Sequence, residues 1–370
     1  MTAEKSFEDK IPEALEATGF VVEHEVSEAF RAAGWGVIGS RYYIDDVDGK
    51  ARELDLIAYK VTSGPEIDVV TTILISCKKD RENAWAVMSR KRPFQDPNLD
   101  WNPIHTWTNN GLLGAYLGSS KWSDEYVRSD NTIFSALFEI ERQAFAFQLI
   151  SKNSCRPKND RPIFESLTDL MKAQDHELSI LPDRMKKKRI YIFNLVAVVD
   201  AALYEVRYDE MPAVATEVQE FRHLARYIVR RQERVARINI CSKNKIFGLV
   251  NSYELLAKHD AVFFNIKIKE AYDSLPRNRA VQRFLGKQVE KKLKWNVWAA
   301  LGRNHRKRVV PEIGFQFDSQ KNELVVLMNL DDDDLSAIFI DELLIEETRT
   351  LLASEARYVG SFRFEVDIPF

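Results

Sequence analysis

The chain has 370 residues, 45% hydrophobic and 29% charged, with 53 basic against 56 acidic side chains and a net charge of −3. This apolar content suffices for a packed core and excludes a mainly disordered chain, while the near balance of charge excludes one that is basic throughout. Any contact with nucleic acid must therefore rest on local patches.

The start, Met1 to Lys10, carries no apolar run or cleavage signature. The longest apolar stretch, Ile190 to Tyr204, is interrupted by Asn194 and Asp200 and falls short of the ~18 residues of a membrane span. A soluble, cytoplasmic protein without membrane contact is expected. Cys77, Cys155 and Cys241 are widely separated and form no CxxC pair, which points away from a disulfide framework and a cysteine zinc site.

In chain order, Gly19 to Val37 predicts a helix closed at Gly34, with Glu23 on the same stripe as Val26 and Phe30. Residues 36 to 44 and 51 to 60 predict a hairpin turned at Asp48-Gly49. In its second strand, Glu53, Asp55 and Ile57 alternate with Leu54, Leu56 and Ala58, and in a third strand, 69 to 79, Ser76 and Lys78 share a face. A helix over Glu82 to Arg92 is predicted to stop at Pro93.

Residues 93 to 130, rich in Pro, Asn and Trp, read as an insertion. There Asn98, Trp101, Asn102, Pro103 and His105 either form a nucleic-acid surface or, the favoured reading, part of a loop-rich subdomain whose tryptophans fill a small core. Helices are expected over 131 to 152 and 161 to 177, and a strand buried on both faces over 189 to 200. Beyond these, 235 to 242 and 246 to 250 read as strands, and 252 to 274 and 277 to 300 as helices. Val309 to Phe317 pairs with Glu323 to Met328, and a helix over 335 to 353 and a strand over 358 to 366 finish the chain. The expected fold is α/β: a mixed sheet flanked by helices over residues 1 to 210, then a C-terminal α/β domain over 211 to 370 for recognition, assembly or regulation.

Helix, hairpin and third strand bring a Glu (Glu23), an Asp (Asp55) and a Lys (Lys78) into one order of elements. In this order the chain resembles the PD-(D/E)XK nuclease superfamily, in its Mrr-like, restriction-endonuclease-like branch, over roughly residues 16 to 80. The resemblance implies a restriction-endonuclease-like sheet and a Mg²⁺- or Mn²⁺-dependent DNA endonuclease, with a role in bacterial restriction or antiviral defence. It implies that Asp55 and Glu23 hold the metal and that Lys78 orients or deprotonates the attacking water. Ser76 stands where the family has an acid, giving S-x-K; Glu82 on the following helix, or Glu53, is the candidate replacement ligand. The alternative reading is a catalytically inactive nuclease-like module that binds nucleic acid or a partner protein.

Double-stranded DNA is the expected substrate, with RNA left open. Lys79 and the runs Arg184-Met185-Lys186-Lys187-Lys188-Arg189 and Arg303-Asn304-His305-Arg306-Lys307-Arg308 are candidate phosphate contacts or solvated charge. Arg222, Arg226, Arg230 and Arg231, on a presumed helix, would extend such a surface. Without a GxxxxGK[ST] loop, nucleotide-driven translocation would need an ATPase partner, and cutting both strands suggests a homodimer. Asp331 to Asp334 read as a helix cap rather than a metal cluster.

Overall fold

Alternating apolar residues after the first helices build a hairpin, and Gly49, at φ 69°, adopts the left-handed backbone expected at its turn. The structure is a computed structural model describing residues 6–16, 18–45, 49–93, 99–184, 187–209 and 211–367. It divides into two units, the first formed by residues 1–109 and 122–263, the second by 110–121 and 264–370.

The chain opens with α1 (Phe7–Glu16), α2 (Phe20–Ala32), β1 (Gly36–Ile44), β2 (Ala51–Thr62) and β3 (Asp68–Lys91). Next come β4 (His105–Thr108), α3 (Gly111–Ser119), α4 (Trp122–Arg128), the single turn α5 (Asn131–Ile133), β5 (Arg142–Ser151) and β6 (Pro157–Lys158). Then follow α6 (Arg161–Arg184), β7 (Arg189–Arg207), β8 (Val214–Glu217), β9 (Glu220–Val229), β10 (Gln232–Ser242) and α7 (Ile246–Asp273). The chain closes with α8 (Arg279–Arg303), β11 (Ile313–Asp318), β12 (Glu323–Met328), α9 (Asp332–Phe339), α10 (Glu342–Ala356) and β13 (Phe362–Val366).

The first unit is a large mixed sheet flanked by helices, with main order β1-β2-β3-β7-β10-β9. β1, β2 and β3 run antiparallel, whereas β7 lies parallel to both β3 and β10. β3 and β7 are long enough to pair twice, first over Asp68–Lys79 against Arg189–Asp200 and again over Ala84–Ser89 against Ala202–Arg207. Between these stretches the register shifts, and past the shift β3 also takes β5 as partner while β7 takes β8. The continuous apolar run of β7 is buried as expected. Leu74, Trp85, Leu195, Ala197 and Val199 pack with Ile163, Leu167, Leu170 and Met171 of α6. Buried Asp260 of α7 accepts hydrogen bonds from Thr71 and Tyr126, each at 2.5 Å, tying β3 and α4 to that helix.

In the second unit, β12 pairs antiparallel with β11 and parallel with β13. Val289, Leu293 and Val297 of α8 pack with Phe315, Leu324 and Val326 of this sheet. A Cβ on Gly286 would stand 3.4 Å from Phe315, so glycine lets α8 and β11 approach closely here. Asn278 caps α8 by accepting from the Ala280 and Val281 N–H groups. Asp331 caps α9 through Asp334 N–H at 2.7 Å, the capping expected of the Asp run.

Several expectations are corrected. Residues 82 to 91 are strand rather than helix, because pairing with both β5 and β7 satisfies their backbone and buries Trp85 and Val87. The helix expected over 131 to 152 is a single α-turn, a π-helical turn (Phe134–Phe138) and then β5, which is drawn into the same ladder. Residues 246 to 250 begin α7 instead of forming a strand, and 335 to 353 is divided between α9 and α10, with Asp341 capping the second by accepting from Leu344 N–H. Arg222 and Arg226 are on strand β9, not on a helix, and Arg230 and Arg231 form the turn that follows. The large sheet runs past residue 210, because β10 pairs with β7 and β9 with β10.

Candidate functional site

The site forms where the β2 ladders open. β2 and β3 pair as far as Leu56–Ile75. On its other edge, β2 pairs with β1 at Leu56–Gly39 and again at Leu54–Arg41, and the residue between on β1, Ser40, has φ 52°. Asp55 thus lies at a break in both ladders, and its carboxylate replaces a backbone acceptor: Oδ2 accepts from Cys77 N–H at 2.6 Å. The same oxygen is 3.7 Å from Lys78 Nζ. Lys78 follows the last fully buried residues of this stretch of β3, so its stem is covered while its ammonium is partly open to solvent.

Glu23 lies in the first turn of α2, where the helix dipole favours an acid. Its neighbours on the helix, Val22, Val26 and Phe30, are fully buried, while Glu23 is half-buried. Burial raises its carboxyl above the usual 4.5, the charges of Asp55 and Glu53 raise it further, and Lys78 opposes them. Burial likewise pushes the Cys77 thiol up, reinforced by Asp55 and Glu23. Helix and strands therefore bring Glu23, Glu53, Asp55 and Lys78 within electrostatic reach of one another: three carboxylates against one ammonium.

The remaining predicted residues separate. Glu53 is exposed, with Tyr42 Oη 3.5 Å from its carboxylate. Ser76 is buried, and its hydroxyl accepts from Ser166 of α6 at 3.1 Å. Glu82 is exposed on β3 where that strand's register with β7 shifts, so the helix expected to present it as a ligand does not form. Lys79 is half-buried and in register with Asp200, which is paired with Arg81 at 3.0 Å.

Of the basic runs, Lys186 and the Arg184 side chain lie outside the described residues, as does Asn98 of the proposed aromatic surface. Lys187 is 2.7 Å from Asp68 and holds that carboxyl below its ordinary value, and Lys188 is exposed. Arg303 pairs with Asp341 at 2.9 Å, Arg306 stands 3.9 Å from Asp334, and Lys307 is exposed.

One acid near the site escaped the sequence reading. Asp169 of α6 is raised by burial, and Lys172, Arg52 and Lys78 are among the charges that offset the rise. Lys78 thus lies in the field of acids from α2, β2 and α6. The only sequence signal for Asp169 was its place in an amphipathic helix, which does not say which strand that helix covers.

The donor set fits a hard cation. Glu23 is raised first by burial and then by the charges of Asp55 and Glu53, which Lys78 only partly offsets, a condition a divalent ion relieves. Among the described residues no group of three or more His, Cys, Asp or Glu side chains is poised around one point. Two carboxylates completed by waters and a substrate oxygen is a usual environment for Mg²⁺. Compared with known proteins, the chain matches no family model, no curated protein and no solved structure.

Proposed function

We propose that the chain is a metal-dependent nuclease, built on the restriction-endonuclease-like plan with an S-x-K variant of the PD-(D/E)XK motif, and that double-stranded DNA is its substrate. The supporting observation is the grouping of Asp55, Lys78 and Glu23 at a gap in the sheet, with Asp55 anchored by a backbone N–H and Lys78 3.7 Å away. Bound by Glu23 and Asp55, Mg²⁺ or Mn²⁺ would supply Lewis acidity and acidify a water ligand. Cys77 N–H fixes one oxygen of Asp55 and so limits how its carboxylate can turn. Lys78 places a positive charge where a scissile phosphate would gain negative charge, and it can steer the proton leaving the attacking water.

A second reading, a nuclease-like module that binds without cutting, draws on Ser76: it is buried, engaged with Ser166, and offers no third carboxylate. Cleavage of supercoiled plasmid, linear duplex and single-stranded RNA with Mg²⁺ or Mn²⁺ tests the two readings. The nuclease reading expects cutting by the native chain and its loss in folded Asp55→Ala and Lys78→Ala. Equal cutting by all three proteins would sink the site assignment, and retained binding without cutting would favour the second reading.

A further inference from the structure

The charge of α8 departs from that of the chain as a whole. The chain as a whole has a net charge of −3, yet α8 carries Arg279, Arg283, Lys287, Lys291, Lys292, Lys294 and Arg303 against Glu290 alone. Arg279, Arg283, Lys287 and Lys291 recur every fourth residue. They therefore climb one face at ~6 Å per step while advancing ~40° around the helix, and Lys294 continues the row to a length of ~22 Å.

Those four side chains are exposed, and Lys294 is half-exposed. Lys292, on another face, is 2.5 Å from Glu355. The opposite side of α8 is committed to the core through Val281, Leu285, Val289, Leu293 and Val297, all essentially fully buried. No apolar face is left to enter a bilayer, which separates this helix from an interfacial membrane helix.

We infer that the α8 row is a binding surface for the phosphodiester backbone of nucleic acid. A line of cations suits a line of anions, and over ~22 Å a duplex presents about a dozen phosphates. Trp295, 56% exposed beside the row, offers a ring to an unpaired base. Glu290, Glu312 and Asp367 line the groove beside Arg279, Arg283 and Lys287, and their charge keeps phosphates on the outer tips of the row. The identity of the partner rests on the nuclease reading; the charge pattern does not.

The test is fluorescence-anisotropy binding of a labelled duplex DNA, and of single-stranded DNA and RNA of equal length, to the full chain carrying Asp55→Ala in EDTA. Four phosphate contacts predict a slope of log affinity on log salt near −3.6 for duplex, about a 100-fold loss between 50 and 200 mM. Combined Arg283→Gln, Lys287→Gln and Lys291→Gln should flatten that slope by about 2.7 and weaken binding at least tenfold at low salt. Lys292→Gln, off the row, should leave both unchanged.

A slope unaltered by the triple change, a loss as large from Lys292→Gln, or equal capture by polyglutamate or anionic vesicles would each overturn the inference. Failure of the nuclease reading alone has a different signature: no cutting in the Asp55 background or out of it, with row-dependent binding intact. If cutting persists while binding ignores the row, this inference fails and the nuclease reading stands.

Discussion

Two carboxylate clusters in the first unit meet opposite electrostatic fates. Asp45 is only 2% exposed, yet Lys172 stands 2.8 Å and Arg52 3.4 Å from its Oδ2. Burial alone would pull the Lys172 ammonium down, and its hydrogen bond to Asp45, together with the charges of Asp45, Tyr227 and Asp169, more than restores it. Asp55 is more open and has one lysine, whose charge also opposes the rise of Glu23. A buried acid answered by two cations is finished as structure. Among the described residues, half-open Asp55 and Glu23 have only Lys78 between them, and on the proposed function a divalent cation would supply the missing charge.

The largest expected effect falls on the finished cluster. Asp45→Ala leaves Lys172 buried without its anion and should cost about 3–5 kcal/mol in urea denaturation. Replacing Asp45 and Lys172 together with Leu and Met should recover much of that loss. If Asp45→Ala were instead harmless and Asp55→Ala strongly destabilising, the contrast would be reversed.

Lys78→Ala sharpens the other side: cleavage should fall by at least ~100-fold, about 2.7 kcal/mol of barrier, while the urea midpoint changes little. At a hundred times its Kd, Mg²⁺ should stabilise the native chain by ~2.7 kcal/mol in thermal melts, with no comparable gain in Asp55→Ala. Absence of that difference would detach the acid cluster from metal binding.

Glu23 gives a pH signature. Its folded carboxyl is raised above 4.5, so its contribution is fully present below that pH and is lost as pH rises through the folded value. In EDTA, Glu23→Gln should therefore melt higher than the native chain at pH 7.5 and level with it near pH 4, whereas a lower melt at pH 7.5 would contradict the crowding of acids. Mg²⁺ affinity of the native chain should fall as pH drops through the same range. The smallest effect belongs to Ser76→Ala, which forfeits the Ser166 hydrogen bond for ~1 kcal/mol and should leave cleavage within a few fold.

The site was legible where local pattern and tertiary environment agree. The stripe of α2 placed Glu23 beside the core, and alternation in β2 and β3 placed Asp55 and Lys78 on neighbouring strands. The pattern could not show that Asp55 lies at a break in two ladders, because that depends on the positive φ of Ser40 on one side and on where the β2–β3 pairing stops on the other. The segment around Trp85 failed for a related reason: an apolar run of that length suits a buried helix or a buried strand, and only β5 and β7, distant in sequence, decide between them. The α8 row is legible in its fourfold spacing, but along the sequence its charge is less dense than that of the runs 184–189 and 303–308.

The pairing of β3 with β7 also has a consequence in time. The chain between Lys91 and Arg189 must be synthesised before β3 can meet its parallel neighbour, and β10 follows later still. At roughly 5–20 residues per second, that interval lasts several seconds to about 20 seconds on the ribosome. Throughout it, the strand carrying Lys78 lacks the neighbour that holds it in the sheet interior. On the proposed function, a nascent chain would remain unarmed until β7 has been made, and a truncated product ending before β7 would be harmless to the nucleic acid around it.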